Sequence, residues 1–168
     1  MKYILSILLL AFCSALSIAQ TDSLKVIVFL SETCPICKST TPELRKLHDE
    51  FTAKGVEFIG VFPSQTATSE SSRKAFADKY KLPFKLIDDP LQTLTNQLSA
   101  QITPEVFVLN KNNNQLIYRG LIDNSYIRVG KRRSVTTEFH LRNALKHFFA
   151  GHVNQIKSTE AVGCIIQK

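Results

Sequence analysis

Residues 33–38 read Thr-Cys-Pro-Ile-Cys-Lys, shortly after the apolar run Val-Ile-Val-Phe-Leu at 26–30. A short apolar run followed by such a segment predicts a buried strand that leads into a helix. In the first turn of that helix, Cys34 and Cys37 lie on one face with Cα atoms about 5 to 6 Å apart, as a disulfide requires. The two thiols therefore suit reversible oxidation.

The start of the helix indicates which thiol attacks. Thr33 is expected to be the N-cap and Pro35 the first helical residue, so the free N–H groups and the positive dipole end face Cys34. Such positions lower a cysteine pKa from about 8.5 to roughly 3.5 to 7.5, and the thiolate is the attacking form. Cys34 is thus predicted as the nucleophile and Cys37 as the resolving thiol.

The first 19 residues have the pattern of an export signal. Lys2 supplies a positive start, residues 4–16 are mostly apolar, and Ser-Ile-Ala at 17–19 forms a small-x-small cleavage site. We expect cleavage before Gln20 and a periplasmic or other extracytoplasmic location.

Residues 20–168 have the length of one domain with one hydrophobic core. Membrane attachment is expected only if the signal stays uncleaved or if Cys13 carries a lipid. The chain has a net charge of +7, but its basic residues are scattered, so nucleic acid is not an expected partner. The basic run at 131–133 is interpreted as a solvated loop or as a docking point for an acidic protein.

Three cysteines follow the signal: Cys34, Cys37 and Cys164. The number is odd, and a disulfide between the first two closes a loop too short to stabilise the fold much. No second Cys/His pair at ligand spacing follows, so a metal site is not predicted. Redox chemistry is the favoured use of the pair.

The remaining pattern alternates strands and helices and then changes to a hairpin. Apolar runs and turn residues predict an α/β domain with a parallel core, followed by an antiparallel hairpin and a final helix. The predicted strands are 25–31, 56–62, 84–87, 106–109 and 115–118, the predicted helices are 34–54, 69–80, 88–98 and 137–150, and an extra loop is predicted over 121–135.

With these elements in place, the chain resembles the thioredoxin superfamily. The resemblance depends on the Cys-Pro-Ile-Cys-Lys motif at 34–38, on Pro42 within the same helix, and on Thr103-Pro104 before the hairpin. It implies a thioredoxin-like fold with a central mixed sheet flanked by helices and a strand-helix insertion after the active-site helix. It also implies that Pro104 is cis and that the backbone beside it, at Thr103, receives the substrate chain.

The longer spacing between the motifs resembles the exported redoxin branch, which includes thiol–disulfide oxidoreductases and peroxiredoxin-like proteins. Three positions depart from common patterns. Thr33 stands where many members have tryptophan, Thr40 stands where some carry a functional glutamate, and Glu105 would bring negative charge close to the site.

The leading functional hypothesis is an extracytoplasmic oxidoreductase that needs no cofactor. It would exchange disulfides with protein thiols and with an electron donor or acceptor. The alternative is a peroxiredoxin-like peroxidase in which Cys34 becomes a sulfenic acid that condenses with Cys37 or Cys164. Ser31 fits half of the peroxiredoxin hydroxyl-x-x-Cys pattern, whereas Ile27 stands where that pattern has proline, and Arg119 is a candidate cation.

A copper metallochaperone is the third hypothesis, since copper carriers of the superfamily use two thiols and a distant histidine. Their thiols are usually one residue further apart, and His140 and His147 are more typical of surface histidines. Cys164 has two interpretations that stay open: a small apolar residue packed on the core, or a third redox thiol on a tail that folds back.

Overall fold

The computed structural model describes residues 23–63 and 68–167, and the predicted signal lies outside these ranges. The central elements follow the predicted order. The elements are β1 (Leu24–Phe29), α1 (Pro35–Phe51), β2 (Glu57–Phe62), α2 (Glu70–Tyr80), β3 (Lys85–Asp88), α3 (Thr93–Gln97), β4 (Ile102–Thr103), β5 (Glu105–Asn110), β6 (Leu116–Gly120), β7 (Tyr126–Arg128), β8 (Lys131–Arg132), α4 (His140–Phe149) and β9 (Cys164–Ile165), with short 3-10 turns at Thr52–Lys54 and Val153–Gln155.

Five strands form one mixed sheet in the order β3-β2-β1-β5-β6. The pairs β1–β2 and β2–β3 are parallel, and the pairs β1–β5 and β5–β6 are antiparallel. The apolar run therefore forms the central strand. Both faces of this strand are buried, which explains why its sequence is continuously hydrophobic. The predicted thioredoxin-like α/β fold is confirmed.

Alternate residues of β1 enter two separate cores. Val26 and Val28 pack with α1, α2 and α4 on one face of the sheet, and Cys34 and Cys37 belong to this cluster. Ile27 and Phe29 pack on the other face with Phe107, α3 and the C-terminal tail. The sheet is flanked by helices, and the cysteine pair lies on the face that packs against α1, α2 and α4.

Two predicted segments differ in the structure. The helix expected over 88–98 is only Thr93–Gln97, because the Asp89 side chain stays outside it and accepts hydrogen bonds from the N–H groups of Leu94 (3.3 Å) and Thr95 (2.8 Å). The loop expected over 121–135 contains a small ribbon in which β7 pairs with β8.

The helices in the described part of the chain are too short or too polar to cross a membrane. The helix predicted over 34–54 ends at Phe51, and Gly55 ends the 3-10 turn that follows it. Its φ of 83° lies in the left-handed region, which glycine adopts without steric cost.

Candidate functional site

Cys34 lies at the N-cap of α1, between the end of β1 and the body of the helix. Its φ of −77° and ψ of 116° are extended, and Pro35 begins the helix. The prediction that Thr33 would be the N-cap is wrong, because the Thr33 hydroxyl lies 3.0 Å from the Ser31 hydroxyl instead. The one-residue shift brings the Cys34 sulfur itself to the end of the helix, where free N–H groups favour negative charge.

The surroundings of Cys34 favour its thiolate. Hydrogen bonding from the Cys37 thiol is the largest cause that lowers the pKa of Cys34, and the Cys164 thiol and the N–H groups of Cys37 and Ile36 add to it. Together they outweigh burial and lower the pKa to about 4. Cys34 is therefore ionised at neutral pH, as a nucleophile needs to be.

Cys37 is held in the opposite protonation state. It is fully buried, and burial, together with the hydrogen bond and the negative charge of Cys34, raises the pKa of Cys37 well above its usual value. The Ser31 N–H donates to the Cys37 sulfur at 3.4 Å. The pair thus consists of one thiolate and one thiol, a division that suits sequential attack.

The Thr103–Pro104 peptide bond is cis, as the family resemblance implies. The Thr103 carbonyl oxygen lies 3.2 Å from the Cys34 sulfur, and both Thr103 and Pro104 are buried. The structure therefore brings the second motif to the first across 69 residues of chain.

Cys164 also reaches the site. Its sulfur lies 2.6 Å from the Cys34 sulfur, and Cys34, Cys37 and Cys164 are all free thiols. Burial, with the hydrogen bond and charge of Cys34, raises the pKa of Cys164 to about 11. Of the two interpretations from sequence, the structure supports a tail that folds back onto Cys34.

The other candidate residues do not face the cysteines. The Thr40 hydroxyl donates to the Cys37 carbonyl at 3.1 Å, so it cannot take the place of a carboxylic acid. Glu105 and Arg119 pair with each other on the opposite face of the sheet, where the Arg119 guanidinium lies 5.1 Å from the centre of the Phe107 ring. Arg119 is therefore not placed to be a cation beside Cys34.

No group of three or more His, Cys, Asp or Glu side chains in the described ranges has the geometry of a metal site. The His140 imidazole lies 3.4 Å from the Glu138 carboxylate. His147 has the His152 ring as its neighbour, with centroids 6.2 Å apart. Neither histidine is part of the cysteine cluster.

An open groove of about 480 Å³ runs beside the site. Its lining includes Ser31, Glu32 and Thr33, together with Thr103 and the tail residues 164–167. Sequence reasoning named neither the groove nor the contacts that hold the tail, although Gly163 next to Cys164 was a signal of close backbone approach.

Comparison with known proteins agrees with the fold. A protein-family model described as the AhpC/TSA family matches residues 14–117, more than half of the chain. A structure of an uncharacterised conserved protein from Geobacillus kaustophilus is similar with a TM-score of 0.76 and 25% identity, over 88% of this chain and 78% of that one.

Two curated relatives match shorter stretches. A chloroplastic peroxiredoxin Q of Sedum lineare is 32% identical over 75 residues, which are 44% of this chain and 38% of the relative. The thiol-disulfide oxidoreductase ResA of Halalkalibacterium halodurans is 26% identical over 83 residues, 49% of this chain and 46% of the relative. The matches thus span less than half the length of these relatives.

Proposed function

The chain belongs to the AhpC/TSA family, and from this premise we propose that it is an extracytoplasmic thiol–disulfide oxidoreductase that exchanges disulfides with protein partners. The observation that carries the proposal is the Cys34 thiolate at the start of α1, with a pKa of about 4, beside the cis Thr103–Pro104 bond. Similarity to a ResA protein supports the same chemistry.

The exchange follows from the two protonation states. The Cys34 thiolate attacks one sulfur of a partner disulfide, which forms a mixed disulfide and releases the other partner sulfur as a thiolate that takes up a proton. Cys37 then loses its proton and attacks the Cys34 sulfur. The partner leaves as a dithiol and Cys34–Cys37 becomes a disulfide, and the same steps in reverse oxidise a partner.

Thr103 and Pro104 are proposed to position the partner. The Thr103 carbonyl oxygen lies 3.2 Å from the Cys34 sulfur. A partner strand that pairs with this backbone would present its disulfide to Cys34. Main-chain pairing of this kind gives affinity without demanding one partner sequence.

The proposal includes export of residues 20–168 after removal of the first 19 residues. N-terminal sequencing of protein recovered from outside the cytoplasm should begin at Gln20. A recovered chain that retains Lys2 and is membrane-bound would contradict cleavage.

Reduction of insulin by the purified protein, with dithiothreitol as electron donor, tests the exchange. We expect Cys34→Ser to lower the rate to background. A trapping variant needs two changes, Cys37→Ser and Cys164→Ser, because Cys164 is also within reach of Cys34. This double variant should hold insulin as a mixed disulfide, whereas the triple variant that adds Cys34→Ser should hold none; an empty trap would contradict protein substrates.

A peroxiredoxin-like peroxidase is the second candidate, favoured by the similarity to peroxiredoxin Q and by the ionised Cys34. In that reaction the Cys34 thiolate takes one oxygen atom from hydrogen peroxide, which leaves as water, and the resulting sulfenate takes up a proton to become a sulfenic acid. Fast peroxide consumption that persists in Cys37→Ser would favour it. The distance of Arg119 from the cysteines, on the far face of the sheet, argues against it.

A further inference from the structure

The C-terminal tail is attached to the body of the domain on both sides of Cys164. On the N-terminal side, the Thr159 N–H donates to the Arg119 carbonyl at 2.9 Å, and the Leu121 N–H donates to the Thr159 hydroxyl at 2.9 Å. The Tyr118 hydroxyl lies 2.9 Å from the same Thr159 oxygen. The tail is therefore held at the end of β6 before it reaches the cysteines.

On the C-terminal side, the tail pairs with the backbone beside the cis bond. Strand β9 is antiparallel to β4, with Thr103 opposite Cys164 and Ile102 opposite Ile165. The Ile166 N–H donates to the Gln101 carbonyl at 2.8 Å, and the Ile166 side chain is buried in the second core. These contacts determine which residue of the tail faces Cys34.

Gly163 lets the tail approach closely. A Cβ atom at this position would lie 2.1 Å from the Thr103 carbonyl oxygen and 2.6 Å from its carbon. Real Cβ atoms do not come so close to backbone, so any larger residue would push the tail away from Thr103. Gly163 is thus needed for the contact between Cys164 and Cys34.

Strand β9 occupies the place where, in the proposed disulfide exchange, a strand of the partner protein would pair. It pairs with the Thr103 backbone, and it presents a sulfur 2.6 Å from the nucleophile. Cys34 is only 1% exposed, so an external protein disulfide cannot reach it in this arrangement. The tail covers the nucleophile and has a cysteine at the contact point.

We propose that the C-terminal strand is a tethered competitor of the partner, and that Cys164 forms a reversible disulfide with Cys34. This inference rests on the proposed exchange function. The tail must leave Thr103 before an external strand can pair there, so partner access depends on an equilibrium between docked and released tail.

The internal step needs no external oxidant. Starting from the Cys34–Cys37 disulfide, Cys164 loses its proton and its sulfur attacks the Cys34 sulfur. The Cys34–Cys37 bond breaks, a Cys34–Cys164 bond forms, and Cys37 takes up the proton. One disulfide replaces another, so the number of electrons on the protein is unchanged.

Mass mapping in the Cys37→Ser variant tests the covalent step. Oxidised glutathione supplies the disulfide: Cys34 attacks it, and Cys164 then releases glutathione from Cys34. We expect a peptide that links Cys34 to Cys164, with little glutathione left on Cys34. A stable glutathione adduct on Cys34 with a free Cys164 would overturn the proposal.

Reactivity of Cys34 tests the competition. The probe is the small aromatic disulfide DTNB. It is applied to two reduced proteins, the Cys164→Ser variant and the same variant with Gly163→Ala added. We expect the added methyl group to release the tail, which removes hydrogen bonds between β9 and β4, and to speed the Cys34 reaction about tenfold. Lys157→Ala, an exposed change in the same tail, is the matched control and should have no effect.

Two outcomes separate this proposal from the exchange function. Equal DTNB rates with and without Gly163→Ala, in proteins with equal melting temperatures, would overturn tail competition while insulin reduction could still proceed. Conversely, a Cys34–Cys164 link in a protein that never reduces insulin would overturn the exchange function and leave the internal disulfide established.

Discussion

The Glu105 carboxylate accepts a hydrogen bond from the Arg119 Nε at 2.6 Å, on the face of the sheet opposite Cys34. The Glu105 side chain is only 4% exposed, and its second oxygen accepts from the Gln101 N–H at 3.1 Å. The negative charge of Glu105, the residue after the cis proline, is thus neutralised on the face of the sheet opposite Cys34. It is not among the causes that set the pKa of Cys34.

Removal of Arg119 should destabilise the protein, because it leaves a buried carboxylate unpaired. Loss of one partner of a buried pair costs about 3–5 kcal/mol, and the partial exposure of Arg119 reduces our expectation for Arg119→Met to about 2–3 kcal/mol. Urea unfolding at neutral pH measures this change.

The double variant Arg119→Met with Glu105→Gln is the control. It removes both charges, so it should recover part of the stability that Arg119→Met loses. If the effects of the two substitutions on the free energy of unfolding are additive, the ion pair contributes nothing to stability. The explanation for the buried Glu105 would then be wrong.

Local signals in the sequence predicted most of the fold. The strand at 26–30, the helix that begins near 34 and the hairpin depend on neighbouring residues, and each of these elements is confirmed. The cap of α1 was misplaced by one residue, from Cys34 to Thr33, because both residues are compatible with the start of a helix. The helix predicted over 88–98 is longer than the observed α3, because Asp89 caps α3 from outside.

Long-range relationships were not predictable in the same way. The face occupied by Glu105 depends on the register of β5 against β1, in which Phe29 lies opposite Glu105. The contact between Cys164 and Cys34 spans 130 residues. No periodicity in the sequence encodes such a pairing, so Cys164 could be named as a candidate but not assigned to the site.

The stability of the reduced protein should depend on pH through Cys34. Its pKa is lowered from 9.0 to about 4 on folding, so between these values the unfolded state binds one more proton and stability rises with pH. The stabilisation is present above the unfolded pKa and is lost as pH falls toward 4.

We expect the difference in unfolding free energy between wild type and Cys34→Ser to grow with pH by at most about 1.4 kcal/mol per unit. Urea unfolding of both reduced proteins at a series of pH values between about 5 and 8 measures it. A difference that does not change with pH would contradict an ionised Cys34.

Asp89 should stabilise the start of α3. Its carboxylate accepts from two backbone N–H groups and also from the Thr95 hydroxyl at 2.7 Å. We expect Asp89→Ala to cost about 1–2 kcal/mol in urea unfolding. Asp89→Asn keeps one acceptor oxygen and should cost less, and Lys74→Ala, which removes an exposed ion pair on α2, should leave stability unchanged. Equal losses for Asp89→Ala and Asp89→Asn would argue against a capping role.

Thr159 should control the tail from a distance, since it contacts neither the cysteines nor Thr103. In Thr159→Val the Leu121 N–H loses its acceptor, which costs about 1–2 kcal/mol, and the N-terminal attachment of the tail keeps the backbone bond from the Thr159 N–H to the Arg119 carbonyl. Hydrogen exchange of tail amides, followed by mass spectrometry, should then become faster on both sides of Cys164. Thr159→Ser keeps the hydroxyl and should exchange like wild type, whereas similar rates in the Val and Ser variants would show that the Thr159 hydroxyl does not hold the tail.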